Sequence, residues 1–280
     1  MQMFRDRCVA RVVPGLAGAL FLWAVPAAAE PLVKVPGAEV ELLAGAVAAN
    51  EVDAGIEVRL SPGWKTYWRY PGDSGVPPSV SFAGSTNVAG VEMEWPAPRR
   101  FPDGGGGYAI GYKGAVLFPL KVRLAESGKP ARLSLAFDFA VCEALCMPAR
   151  ADLALDLPAA DGPDAARIVT ARALVPAPQP PGAAETPGVR AVSLDTSATP
   201  PRLVIEARAM SPKADLFAEG PDARWALPLP QKTALPDGMA RFVVPLDGVP
   251  AGVDPTGAVI TLTLVDGPKA VATQVTVPAR

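Results

Sequence analysis

In the stretch "FAVCEALCMPAR", Phe139 to Arg150, Cys142 and Cys146 stand with three residues between them, and the only other cysteine is Cys8. Two thiols at this spacing can form a structural staple, clip a soft metal ion, or work as a dithiol that is oxidised and reduced in turn. A fully extended strand would hold them ~13 Å apart, at ~3.3 Å per residue. A disulfide needs Cα atoms within ~7 Å. A bridge therefore requires the strand ending at Val141 to stop and "CEALC" to form a tight turn or a helical turn, ended by Met147-Pro148. A closed loop this short stabilises a fold by only ~2 kcal/mol in the chain-entropy model. Such a bridge opens with little disturbance elsewhere, which favours a switch, but the spacing alone leaves staple and switch both open. Cys142, Cys146 and Met147 are also soft ligands suited to Cu(I), so copper handling is a second reading.

Other chemistry is excluded or weak. The chain has no histidine, which removes Ser-His-Asp and Cys-His catalysis and the two-histidine zinc motifs. The glycines of "DGGGGYAIGY" are followed by no Lys-Ser or Lys-Thr and open no helix, so they read as a mobile loop rather than a phosphate cradle. Glu92 and Glu94 in "VEMEW" alternate with apolar residues and read as a solvated strand face, not as a hydrolytic carboxylate pair. "GWKTYWRYPGDSGVPP" gathers Trp64, Tyr67, Trp68 and Tyr70. These read as core and rim aromatics entering a turn, with a sugar or peptide platform as the sharper alternative.

The N-terminus has the layout of a cleaved secretory signal: Arg5, Arg7 and Arg11, an apolar run from Val12 to Val25, then Ala27-Ala28-Ala29 before Glu30. Cleavage would remove residues 1–29, and Cys8 with them. The formal charge of −2 would become more negative by the loss of three arginines and one aspartate, so no nucleic-acid partner is expected. No later apolar run has membrane-spanning length, and a soluble periplasmic protein is expected. An oxidising compartment permits one bridge between the two remaining cysteines.

The elements that must position those cysteines are short strands. Proline (33) and glycine (26) are scattered and break long helices. Between them runs alternate with period two: Ile56, Val58 and Leu60; Val116 to Leu124; Leu133 to Val141; Leu153, Leu155 and Leu157. Pro119 suggests an edge position or a bulge in its strand. The pattern predicts an all-β fold, an antiparallel sandwich over residues 30–158. A short helix from about Asp164 to Leu174 and a Pro-rich linker, "PAPQPPGAAETPG", fill residues 159–188. Alternation then returns, predicting a second, smaller β domain of unassigned role over residues 189–280.

Three blocks together, "GWKTYWRYPGDSGVPPSVSF", "EWPAPRRFPDGGGGYAIGYKGAVLFPLKV" and "LSLAFDFAVCEALCMPA", resemble the periplasmic N-terminal domain of the transmembrane thiol:disulfide interchange protein DsbD and its relatives, including ScsB-type proteins. The resemblance covers roughly Val33 to Leu157. It implies an immunoglobulin-like sandwich whose cysteine pair shuttles electrons, without a cofactor, as a component rather than a free-standing enzyme. The implied partners are a membrane-embedded thiol transporter of the DsbD/CcdA type and periplasmic thioredoxin-like proteins, including those serving cytochrome c maturation. Carried over, Cys146 is the attacking cysteine and Cys142 the resolving one. The segment "RRFPDGGGGY" falls where the family places an aromatic cap, making Phe101 or Tyr108 the candidate, and Trp64 and Tyr67 match positions near the site. Well-studied members separate their cysteines by more residues, so the local geometry is expected to differ. The chain shows no transmembrane segments of its own, so it is expected either to meet a separate membrane partner or to have lost the shuttle role. Glu143 beside Cys142, with Arg150 as the nearest cation in sequence, argues against a strongly acidic thiol and for activation on docking.

Overall fold

The computed structural model describes residues 30–279 apart from Ser74 and Gly104; the expected signal segment, residues 1–29, lies outside the described residues. Among the described residues no helix is long and apolar enough to cross a membrane.

The first half is built from β1 (Leu32–Val35), β2 (Ala38–Ala48), β3 (Glu51–Leu60), β4 (Lys65–Gly72), β5 (Ser79–Ser81), β6 (Val88–Met93), β7 (Arg99–Pro102), β8 (Tyr108–Lys113), β9 (Ala115–Leu124), β10 (Ala131–Cys142) and β11 (Cys146–Leu157). One sheet has the order β1-β2-β3-β9-β6, the other β11-β10-β4-β8-β7 with β5 on β10. The alternation read from the sequence is the cause: Ile56, Val58, Phe118, Leu120, Leu133, Leu135, Phe137 and Leu153 all turn inward and form one core between the sheets. The strand pairs are antiparallel, and the architecture is an immunoglobulin-like β-sandwich.

Pro119 departs from expectation. Its strand β9 lies between β3 and β6, not at an edge. The Pro119 carbonyl accepts from the Glu94 N–H, 2.9 Å, so its backbone faces β6 just where that strand has ended at Met93. The missing N–H thus falls where no ladder bond is required.

Helix α1 (Ala165–Arg172) packs on the outside of the first sheet. Ile168 is fully buried there, and Gly45 and Gly55 make the space: a Cβ on either would press on Ile168 or its neighbours. Arg172 forks onto Asp53 at 2.8 and 2.9 Å and reaches Glu94 at 2.6 Å. Glu94 is therefore an anchor for the helix and not part of a solvated face; Glu92 is exposed.

The second half holds β12 (Ala177–Pro178), β13 (Gly188–Asp195), β14 (Arg202–Arg208), β15 (Asp215–Glu219), β16 (Gln231–Ala234), β17 (Met239–Pro245), β18 (Val259–Asp266) and β19 (Lys269–Thr276). They form two four-stranded sheets, β12-β19-β18-β15 and β13-β14-β17-β16, around a separate core that includes Leu203, Ile205, Phe242, Ile260 and Leu264. The Pro-rich segment is not merely a spacer, because β12 pairs in parallel with β19.

The two halves are joined by more than the chain. Phe217 of β15 is fully buried in the first core, edge-on to Trp68 with ring centroids 5.9 Å apart. Arg69 forks onto Glu219 at 2.7 and 2.8 Å, Arg100 onto Asp215 at 2.7 and 2.9 Å, and the Tyr70 hydroxyl donates to the Leu227 carbonyl. Burial drives the Asp215 carboxyl above its ordinary pKa, against the pull of Arg100.

Candidate functional site: a disulfide at a hairpin tip

Strands β10 and β11 pair residue for residue from Ala131↔Leu157 to Cys142↔Cys146. The two cysteines are the last pair of the ladder, with Cα atoms 4.1 Å apart, and are joined by a disulfide. The chain reversal is thus a hairpin turn, Glu143-Ala144-Leu145, exposed throughout. Met147 and Pro148 begin the return strand rather than closing off the turn. Pro148 is tolerated there because β11 is an edge strand.

Face alternation decides what surrounds the sulfurs. Val141 points into the main core, so Cys142 points out of the sandwich. It is nevertheless only 1% exposed, because it packs in a small outer cluster with Tyr67, Phe101, Ala109 and Ala140. Cys146, its bonded partner, is exposed. The Tyr67 hydroxyl lies 3.1 Å from the Cys146 sulfur and 3.2 Å from the Cys142 sulfur. Neither sulfur in the bridge carries a proton, so the hydroxyl is the donor. Burial, with Asp103 nearby, raises the Tyr67 pKa, which keeps that proton in place at neutral pH.

The other residues singled out from the sequence divide cleanly. Phe101 is 7% exposed and touches the sulfur cluster. Tyr108 does not join that cluster: on β8 it alternates with Ala109, so it turns to the opposite face, where the Arg100 guanidinium lies 5.6 Å from its ring. Trp64 is likewise on the far side, its indole laid over Gly37 and packed against the main core. Met147 pairs with Val141 and alternates with Cys146, so strand geometry separates it from the sulfurs. No cluster of three or more His, Cys, Asp or Glu suited to a metal is found among the described residues.

Sequence proximity misplaced the local cation. Arg150 is held by Asp138 and Asp152, at 3.0 and 2.8 Å. The cation opposite Cys142 in the sheet is Lys65, and opposite Lys65 is Lys113. Their ammonium groups lie 5.9 and 5.0 Å from the centre of the Phe101 ring. Gly111 lets β8 approach this closely, since a Cβ there would sit 1.9 Å from the Thr66 carbonyl oxygen. The signal was present in "GWKTYWRY": Lys65 and Tyr67 alternate with Trp64, Thr66 and Trp68, which places lysine and tyrosine on the sulfur face.

An all-β sandwich with a half-exposed disulfide at the tip of a hairpin is the architecture of a thiol–disulfide module. Residues 35–158 match the family model for thiol:disulfide interchange protein DsbD, N-terminal, and form a domain of that type. The crystal structure of the N-terminal periplasmic domain of ScsB from Proteus mirabilis superposes with a TM-score of 0.68 at 26% identity, covering 90% of this chain and 99% of that one. That coverage extends past the family segment into the second sandwich. No curated protein matches the chain.

Proposed function

We propose that this chain is a periplasmic carrier of reducing equivalents, which takes electrons from a membrane-embedded thiol transporter and delivers them to thioredoxin-like proteins through Cys142 and Cys146. The observation that carries the reading is the asymmetry of the pair: Cys146 is exposed at the hairpin tip while Cys142 is 1% exposed beneath Phe101 and Tyr67. Only Cys146 is open to an incoming protein, which suits it to attack, and only Cys142 is sheltered enough to wait and resolve.

In the reduced state the Cys146 thiolate attacks a sulfur of the partner's disulfide. The partner's S–S bond breaks, a mixed disulfide forms, and the released partner thiolate takes up a proton. The Cys142 thiolate then attacks the Cys146 sulfur, closing the internal bridge and freeing the partner's second thiol. Two electrons pass to the partner, and the two protons lost by the cysteines balance those it gains. Tyr67 can donate to whichever sulfur carries charge, because its hydroxyl lies within hydrogen-bond reach of both. Phe101 is the candidate cap, covering Cys142 against small oxidants until a partner displaces it. The likeness to the ScsB domain supports the periplasmic setting.

The test is a trap. Cys142→Ala in the full chain should accumulate mixed disulfides on Cys146 with thioredoxin-like proteins, seen as reducible gel shifts, and Cys146→Ala should give none. If Cys142→Ala forms no such adducts with the bridge absent, the carrier reading fails.

A further inference from the structure

The chain is acidic overall, with a formal charge of −2, but the surface beside the sulfurs is not. Cys142, Lys65 and Lys113 stand opposite one another on adjacent strands. Cross-strand partners share a face, so the row runs from sulfur to two ammonium groups in two steps of ~4.8 Å. Arg99 of β7 pairs with Gly111, two residues along β8 from Lys113, and joins the same face. Among the described residues no carboxylate lies within salt-bridge distance of Lys65, Lys113 or Arg99, whereas Arg69, Arg100, Arg150 and Arg172 are all paired. Two acids stay in the neighbourhood, and Asp103 is felt at Tyr67. Glu143 sits on the turn against Gly63, and Asp103 accepts from the N–H groups of Gly105 and Gly107.

The strip continues into a cleft of about 1350 Å³ between the first sandwich, α1 and the second sandwich. Arg99, Phe101 and Lys113 line it together with Lys213 from the other half. Its carboxylates, Glu57 and Asp215, are already bound by arginines. Phe101 therefore belongs to both places: it covers Cys142 and it walls the cleft. Like charges directly opposite in a sheet destabilise it. Lys65 and Lys113 form such a pair at the end of the sheet that carries the disulfide, and an anionic visitor would relieve it. Leu145, 79% exposed at the hairpin tip, adds an apolar contact at the same edge.

We infer that this face and the adjoining cleft dock a thiol–disulfide protein whose own reactive cysteine is rimmed by carboxylates, and that the second sandwich takes part in the grip through Lys213. The inference rests on the carrier reading and names the chemistry of its partner. Opposite charge steers encounter and selects among partners of the same fold, raising association rates by roughly 10- to 1000-fold at low salt.

The test uses the full chain, reduced, and two oxidised thioredoxins that differ only in bearing carboxylates or lysines around the Cys-x-x-Cys pair. The acid-rimmed form should form mixed disulfide at least about tenfold faster at low salt, and the advantage should shrink towards unity at about 0.5 M salt. Lys113→Glu with Lys213→Glu should reverse the preference. Lys113→Gln with Lys213→Gln, which introduces no new charge, should bring the ratio close to one. Because the readout is a ratio, a general change in thiol reactivity cancels. Equal rates for the two thioredoxins with the native chain, or a ratio unmoved by both double variants, would overturn the docking inference and leave the carrier reading standing. Failure of both thioredoxins to exchange at all, while dithiothreitol opens the bridge, would remove the carrier reading and this inference together.

Discussion

Two hairpins of this molecule end in opposite ways. The β18–β19 hairpin closes through a tight turn at Gly267-Pro268, and the buried Asp266 at its tip accepts from the N–H groups of Met210 and Ser211 at 2.7 and 2.9 Å. Its tip is fastened to the rest of the sandwich by permanent polar contacts. The β10–β11 hairpin has a longer ladder, yet its three turn residues are exposed and the turn's own backbone contact is a single Glu143 N–H to Leu145 carbonyl bond at 3.3 Å. There the last pair is held covalently. The comparison teaches that a hairpin in this fold can be fastened without sulfur. The ladder from Ala131 to Val141 already holds Cys142 opposite Cys146, so opening the bridge is expected to leave the strands paired.

The contrast can be broken in steps. The largest effect is expected from Asp266→Ala, which leaves two N–H groups without their acceptor and should lower stability by about 2–4 kcal/mol in urea melts. Opening the disulfide comes next. Reduction should cost no more than about 2 kcal/mol, and amide exchange across 131–141 and 147–157 should keep its protection. A collapse of that protection would make the bridge a staple. Tyr67→Phe removes a donor to the sulfurs. The thiolate should lose about 1.5 kcal/mol of stabilisation, moving the pH profile of Cys146 alkylation upward by about one unit. An unchanged profile would leave Tyr67 as packing only. The smallest effect concerns Asp215. Its pKa is raised in the folded state by burial, so the native chain binds this proton more tightly than the unfolded one. Stability should therefore fall as pH rises above the ordinary carboxylate value, from about pH 4, through the raised value. Asp215→Asn should flatten that slope in melts run as a pH series.

Strand positions and the core were legible in the sequence because alternation is a local signal. Leu133, Leu135, Phe137 and Phe139 announce a buried face by their spacing alone, and all four are buried. Geometry required only that a bridged "CEALC" depart from an extended strand, as a tight turn or a helical turn; the hairpin, with Met147 and Pro148 already in the return strand, was seen only in the structure. What sequence could not supply was the identity of neighbours across strands. Lys65 stands opposite Cys142 through a pairing that spans more than seventy residues, while Arg150, close in sequence, is neutralised by Asp138 and Asp152. Glu94 looked solvated because its partner Arg172 lies on a helix far along the chain. Pro119 looked like an edge residue because the place where β6 stops is not written in β9. Telling which of Phe101 and Tyr108 lies against the sulfurs required the face parity of the β7–β8 hairpin, which one sequence alone left undetermined.

The seat of Phe217 has a practical consequence. It is a second-sandwich side chain buried beside Trp68, with Leu229 and Val265 packed against the same first-sandwich core. The redox half is therefore finished with borrowed residues. A fragment cut after residue 158 would uncover Trp68 on β4 and leave Arg69 of β4 and Arg100 of β7 without Glu219 and Asp215, on the two strands that carry Tyr67 and Phe101. The cover over Cys142 is made by first-half residues alone, but two of the strands that carry it are braced from the second half, so excision is expected to loosen that cover as well as invite aggregation.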